Sequence, residues 1–235
     1  MIYATSDLHG YPLQAFQRFL GSVNFSDSDH LCIIGDVNDR NGDGGTAMYR
    51  WIMNEPGVTL IRGNHEQMLL DCRFIFEDGF ELTNMEALNQ EQERFIRRWL
   101  RNGCEVTIDS LLELKRKDPV ELKKLLNYLE STPVYLEMTV GTNKFVLLHG
   151  GIPAFEESKP LYQYKAFDLV WTRPTIDTEY WKDRTVILGH TPTQYYGERG
   201  RMFRTDTWID IDTGAGGGGH PMLLRLDDLK AFYVE

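Results

Sequence analysis

Cysteine is scarce in this chain: Cys32, Cys72 and Cys104 form no CxxC pair, and their odd number argues against a disulfide framework. Free thiols in a reducing compartment are the expectation. Long apolar runs are missing as well, none approaching the roughly 20 residues that span a bilayer. Met1 leads straight into a strand-like stretch without a basic n-region or cleavage site, so a cytoplasmic address and no membrane partner are expected. Positive charge is in deficit, with 25 Lys and Arg against 35 Asp and Glu and a net charge of −10. That balance repels a nucleic-acid backbone at long range, so no nucleic-acid partner is expected and any phosphate affinity must be local. Repeats and linkers are absent. Glycines 216–219 precede no GK[ST], which excludes a Walker loop and leaves a flexible turn between strands.

What is present fits one soluble domain: 235 residues, 42% hydrophobic and 26% charged. Five runs rich in β-branched or bulky apolar residues end in Gly, Asp, Asn or His, at residues 2–7, 30–36, 58–64, 144–149 and 184–190. They read as buried strands. Residues 12–20 place Leu13, Phe16 and Leu20 on one helical face and stop at Gly21, and residues 46–53 read as a second helix. Alternating strand and helix predicts layered α/β architecture. Residues 74–132 then interrupt the strands as a helical insert, with an amphipathic helix over 86–100 and another from the Asp118 N-cap and Pro119 to before Pro133. The insert is read as a cap beside the site, or equally as surface packing. Strands at 134–140 and 144–149 form a hairpin, and short antiparallel strands are expected at 205–213, 222–226 and 231–234.

The strand ends carry the chemistry. Asp7 and His9 form DxH, and side chains two apart in an extended segment face one way. Asp36 closes the second run in GDVNDR, Asn64 and His65 the third in RGNHE, His149 the fourth in LLHGG and His190 the fifth in LGHT. Carboxyl ends of neighbouring strands meet at one rim, where open α/β sheets bind ligands. The nitrogen and oxygen donors of Asp7, His9, Asp36, Asn64, His149 and His190 overfill one ion and suit two divalent ions about 3.5–4 Å apart, manganese first, with iron or zinc as alternatives. Such a pair lowers the pKa of a bound water, so a metal-bound hydroxide attacks phosphorus directly, with no phospho-enzyme. Arg40 and Arg173 suit phosphate binding through the guanidinium fork. His65, oriented by a carboxylate such as Asp39, suits the general acid.

DLHG, GDVNDR, RGNHE, LLHGG and LGHT, with VWTR and IDTGA in order, resemble the signature set of the phosphoprotein phosphatases, specifically the bacterial and phage serine/threonine branch of these metallophosphoesterases. The resemblance runs from Ile2 to about Gly214 and is least informative across the insert. It implies a calcineurin-like β-sandwich flanked by helices. It also implies a first ion on Asp7, His9 and Asp36, a second on Asp36, Asn64, His149 and His190, His65 with Asp39 as the acid pair, and Arg40 and Arg173 on phosphate. The implied partner is a phosphorylated protein or small phosphoester. Two positions depart from the family's GDxVDRG: Asn38 replaces an apolar residue, and Asn41 the final glycine, tolerable if a left-handed backbone is needed there. An alternative is a symmetrical dinucleoside tetraphosphatase, a relative that tends to read GNHD and to lack the second aspartate of GDxxDR; Glu66 and Asp39 favour the protein phosphatase. A catalytically inactive binding module predicts a lost ligand, and none is lost.

The other candidates have plainer readings. His30 and His220 read as structural or solvated, and Asp27, Asp29, Asp43, Asp210 and Asp212 as turn caps or solvated carboxylates outside the metal set. The loop with Arg199, Arg201 and Arg204 reads as solvated, and Trp171 and Trp181 as packing.

Overall fold

In the computed structural model, which describes residues 1–80 and 88–234, the apolar runs pair into two sheets that face each other. β1 (Ile2–Thr5), β2 (His30–Ile34) and β3 (Val58–Ile61) lie parallel, joined by helices α1 (Leu13–Ser22) and α2 (Thr46–Ile52). On the far side of β1, β9 (Met222–Arg225) and β10 (Lys230–Tyr233) run antiparallel. The second sheet has the order β4 (Tyr135–Val140), β5 (Asn143–Leu148), β6 (Thr185–Leu188), β8 (Trp208–Asp210), β7 (Phe203–Arg204).

Side-chain alternation sorts each strand between two cores. Cys32 and Ile34 of β2 point with Ala4 and Ile61 at Phe145, Leu147, Ile187 and Ile209 of the other sheet. Leu31 and Ile33 point the opposite way, into a core shared with Tyr3 and the helices. Val146, Leu148, Val186 and Leu188 line a third core, with Leu169 of α7 (Ala166–Trp171). Both faces of these strands are covered, which is why they read as unbroken apolar runs. The fold is the expected calcineurin-like α/β sandwich flanked by helices. Cys32, Cys72 and Cys104 are buried and unpaired. No helix among the described residues is long and apolar enough to cross a membrane.

The insert follows α3 (Asn64–Asp71) as α4 (Gln90–Leu100), α5 (Glu105–Lys117) and α6 (Pro119–Ser131). Ile96, Trp99, Ile108, Leu111, Leu125 and Leu129 of these helices enter the same core as Leu31 and Ile33. Asp118 caps α6 through the Glu121 N–H at 2.9 Å, with Pro119 first in the helix, as expected. Residues 86 and 87 of the helix expected over 86–100 lie outside the described residues; α4 starts after Asn89, whose side chain accepts from the N–H groups of Glu91 and Gln92.

The structure corrects several boundaries. α1 continues through Gly21 to Ser22, because an isolated glycine costs a helix only about 1 kcal/mol and the turn keeps its apolar face. α5 has no counterpart among the expected helices: its N-cap position is Cys104, which gives no side-chain cap, so the usual start signal is missing. β8 is not antiparallel to its neighbours throughout: it runs parallel to β6 and antiparallel only to β7. The five predicted strands end earlier than expected, and the polar residues at their ends sit in turns or, for Asn64, open a helix.

Candidate metal and phosphate site

The loops after β1 and β2 run together, with Asp7 N–H on Gly35 O, His9 N–H on Asp36 O and Gly10 N–H on Val37 O at 2.8–3.1 Å. This zipper bends both loops sharply. Asp7, His9 and Asp36 have φ of 53°, 42° and 57°, and His190 after β6 has 69°. Such left-handed backbone in non-glycine residues costs of order 1–3 kcal/mol each and clusters at functional sites. Asp7 and His9 therefore meet through turn geometry, not through the extended spacing expected from the sequence.

Their side chains converge. His9 Nε2 lies 3.8 Å from Asp7 Oδ1 and 3.6 Å from Asp36 Oδ2, while His149 Nε2 lies 3.2 Å from the other Asp36 oxygen. Asn64 Oδ1 is 2.9 Å from His149 Nε2. Two groups can each hold an ion by distance, His9–Asp36–His65 and Asp36–His149–His190, with Asp36 in both. Asp7, Asp36, Asn64 and His190 line a cavity of about 170 Å³ with Arg40 and Arg173. Arg173 is fixed by donating to His190 O at 3.0 Å.

Burial pushes the Asp7 carboxyl well above the usual range, with Asp212 repelling it further. Burial likewise raises Asp210, and raises Asp212 to about 6. Asp36 goes the other way: its three histidine neighbours, His149 foremost, outweigh burial and hold it well below the carboxylate range. Burial, then the charges of His149 and Arg173, lowers His190 to about 2; burial and His65 lower His9. Burial opposes charge on His149 too, but Asp36 and Asp7 outweigh it and lift the ring to about 10. Asp7, Asp210 and Asp212 are thus driven towards neutrality and His9 and His190 towards neutral lone-pair donors, while Asp36 and His149 form a charged pair between them. The oxygen and nitrogen donor set, gathered around Asp36, fits divalent ions.

His65 has a distinct setting. Its Nδ1 sits 2.5 Å from Asp39 Oδ2, and its Nε2 lies 3.3 Å from Arg40 Nη2. Histidine and aspartate are both fully enclosed.

Several participants escape a sequence reading. Glu66 is buried and accepts from the N–H groups of Asp36, Val37 and Gly63 at 2.8–2.9 Å, with Tyr49 Oη 2.7 Å away. It clamps the loop that carries Asp36. Asp210 and Asp212 are buried, correcting the solvated reading, because β8 is inserted between two strands. Asp210 Oδ2 has no partner among the described residues. Asn38 is buried with its Oδ1 2.8 Å from Tyr49 Oη, and its carbonyl meets His9 Nδ1 at 2.9 Å. Beside Asn41 it is Asp39 and Arg40 that are left-handed, with φ of 73° and 70°, while Asn41 is not, and its side chain donates to His9 O at 3.0 Å. Glycines 216–219 are not a plain turn: a Cβ on Gly216 would lie 2.4 Å from His9 Cδ2 and 2.6 Å from Arg40 Nη1. Trp171 lines the cavity, whereas Trp181 packs in the third core. His30 bonds to Thr59 at 2.9 Å, and Asp43 caps α2 by accepting from Ala47 N–H at 2.8 Å.

Comparison with known proteins gives a consistent picture. The calcineurin-like phosphoesterase family profile matches residues 1–212. Serine/threonine-protein phosphatase 1 of Salmonella typhimurium is 26% identical over 238 residues, 96% of this chain and 91% of that protein. Serine/threonine-protein phosphatase 2 of Escherichia coli is 28% identical over 156 residues, 66% of this chain and 60% of that protein. Among solved structures, a candidate diadenosine tetraphosphatase superposes with TM-score 0.66 at 15% identity, covering 99% of this chain and 92% of its own. A serine/threonine phosphatase from Saccharomyces cerevisiae gives 0.54 at 15% identity, covering 100% and 80%.

Proposed function

The chain belongs to the calcineurin-like phosphoesterase family, and from that premise we propose that it hydrolyses phosphomonoesters, with phosphoserine and phosphothreonine in proteins as its substrate class. The observation that carries this reading is the enclosed Asp39–His65 pair, set beside a rim of metal-ligand side chains and two arginines. Similarity to the Salmonella phosphatase along nearly the whole chain supports the substrate class.

Two divalent ions, manganese in our proposal, would be held by Asp7, His9 and Asp36 and by Asp36, Asn64, His149 and His190, supplying Lewis-acid charge and a more acidic water. Arg40 and Arg173 grip the non-reacting phosphate oxygens, since guanidinium matches two oxygens at once. Asp39 holds the Nδ1–H of His65 and leaves Nε2 3.3 Å from Arg40 Nη2, itself a residue of the cavity wall. Hydrolysis consumes one water. Its oxygen bonds phosphorus while one of its protons passes to solvent. The ester P–O bond breaks with its electron pair going to the leaving oxygen, which takes the proton from His65 Nε2, and the ring regains a proton from solvent. Serine and threonine alkoxides are poor leaving groups, so such an acid matters most for them.

A cavity of about 170 Å³ takes a phosphoryl group and leaves the rest of the substrate outside, which suits a phosphorylated side chain on a protein surface. Initial rates with manganese on a phosphoserine peptide, a phosphotyrosine peptide and diadenosine tetraphosphate test the proposal. The phosphoserine peptide should dominate; a dominant rate on the dinucleotide would replace this reading with a tetraphosphatase.

A further inference from the structure

Asp39 is held from both sides by the helical insert. Its Oδ2, already 2.5 Å from His65 Nδ1, also accepts from Trp99 Nε1 at 2.8 Å, and its Oδ1 accepts from Thr107 Oγ1 at 2.6 Å. The same Thr107 hydroxyl accepts from the backbone N–H of Asp39 at 2.9 Å, closing a ring of bonds on one residue. Between the two, Gly103 O accepts from Arg40 N–H at 2.8 Å. The end of α4, the connection and the first turn of α5 thus grip two consecutive residues that are both left-handed, at φ of 73° and 70°. Trp99 and Thr107 are fully enclosed.

We propose that Trp99 and Thr107 are positioning residues for proton transfer: the insert fixes the plane of the Asp39 carboxylate, and so aims the His65 ring at the leaving oxygen. This rests on the reading of His65 as the acid. The indole N–H of the half-buried Trp171 has no partner among the described residues, whereas that of the fully enclosed Trp99 is paired with Asp39, a specific contact that packing alone does not require. An aspartate carboxylate has about four lone-pair directions and is reached through two rotatable bonds. With only the imidazole as partner, it can turn in its pocket. Three donors leave it one orientation, and an acid works only within hydrogen-bond reach of the atom it protonates. The insert becomes part of the proton-delivery device, beyond any role as cover or packing.

The test separates leaving groups. p-Nitrophenolate departs without a proton, whereas a serine alkoxide needs one. In Trp99→Phe and Thr107→Val, kcat on a phosphoserine peptide should fall about 10- to 100-fold, the usual range for losing an outer partner of a catalytic group. The fall on p-nitrophenyl phosphate should be several-fold smaller. Thr107→Ser, which keeps the hydroxyl, should stay close to wild type on both substrates. In a His65→Asn background, Thr107→Val should add no further loss on the peptide, because residues acting through one group are non-additive. Equal losses on both substrates, or full additivity with His65→Asn, would overturn the proposal and leave the two residues as packing. If His65→Asn itself loses equally on both substrates, the reading of His65 as the acid fails, and the proposal with it. The two failures are distinguished by that control.

Discussion

Replacing Gly216 by alanine puts a methyl group where two site residues already stand. The new Cβ would lie 2.4 Å from His9 Cδ2 and 2.6 Å from Arg40 Nη1. Carbon atoms in ordinary contact are about 3.5 Å apart, so about 1 Å must open. The Arg40 end can swing away cheaply, but then leaves its place on phosphate. The His9 ring is tethered through Nδ1 to Asn38 O at 2.9 Å and backed by the His65 ring, with centroids 4.6 Å apart. The glycine turn is braced too, with Gly217 and Gly219 N–H on Gly214 O and Thr213 Oγ1 on His220 O at 2.7 Å. Whichever gives, a ligand or a phosphate anchor moves by about 1 Å, a displacement that costs about 100-fold in rate. Steady-state hydrolysis of p-nitrophenyl phosphate across a manganese titration reads both effects: Gly216→Ala should lose about 100-fold in kcat/KM and need more metal. Gly217→Ala, where the added methyl meets nothing within 4 Å, should behave as wild type. Equal activity in the two variants would refute the claim that the glycine turn is pressed against the site.

Glu66→Ala should destabilise the fold by about 3 kcal/mol or more in denaturant titration, since it strands three buried N–H groups, each costing about 1–3 kcal/mol; Glu66→Gln should lose less. Burial pushes Cys32 and Cys72 up to about 12, so the neutral thiol is the folded form. Their contribution to stability is intact below the ordinary thiol pKa of about 8.5 and fades as pH climbs towards 12. Ellman's reagent at pH 8 should find no accessible thiol before denaturant is added, and melting temperature should decline above about pH 9, less steeply in Cys32→Ala. Chelation should abolish turnover and also lower the melting temperature, because ions that bind only the folded site no longer stabilise it. Manganese should restore both, and a melting temperature indifferent to chelation would count against a metal in this cluster.

The convergence of the candidate side chains was legible because it is written locally: a carboxylate or imidazole closing an apolar run has no place in a core, and such endings on neighbouring strands meet at one rim. The sandwich was legible from the same runs, apolar on both faces. What stayed hidden depends on partners far along the chain. Asp210 and Asp212 look like ordinary turn acids until β8 slots between β6 and β7. Trp99 and Thr107 look like core and polar face until α4 and α5 reach Asp39. Asn41 occupies the family's glycine position, yet the strained backbone falls on Asp39 and Arg40, because the Gly103 carbonyl and the Thr107 hydroxyl hold those two N–H groups. α5 lacked a cap to announce it, and burial of Ile108, Leu111 and Leu114 holds it in place, with Glu105 in its first turn and Lys115, Arg116 and Lys117 in its last matching the helix dipole.

In the proposed division of labour six side chains would hold two ions around Asp36, and His65 would stay off both for proton transfer. Distance alone would admit His65 to the first ion's ligands. Anomalous diffraction from crystals soaked in manganese decides between these arrangements. The account predicts two peaks bridged by Asp36, with His65 Nδ1 still on Asp39 and Nε2 bound to no metal. A single peak, or an ion coordinated by His65 Nε2, would contradict it.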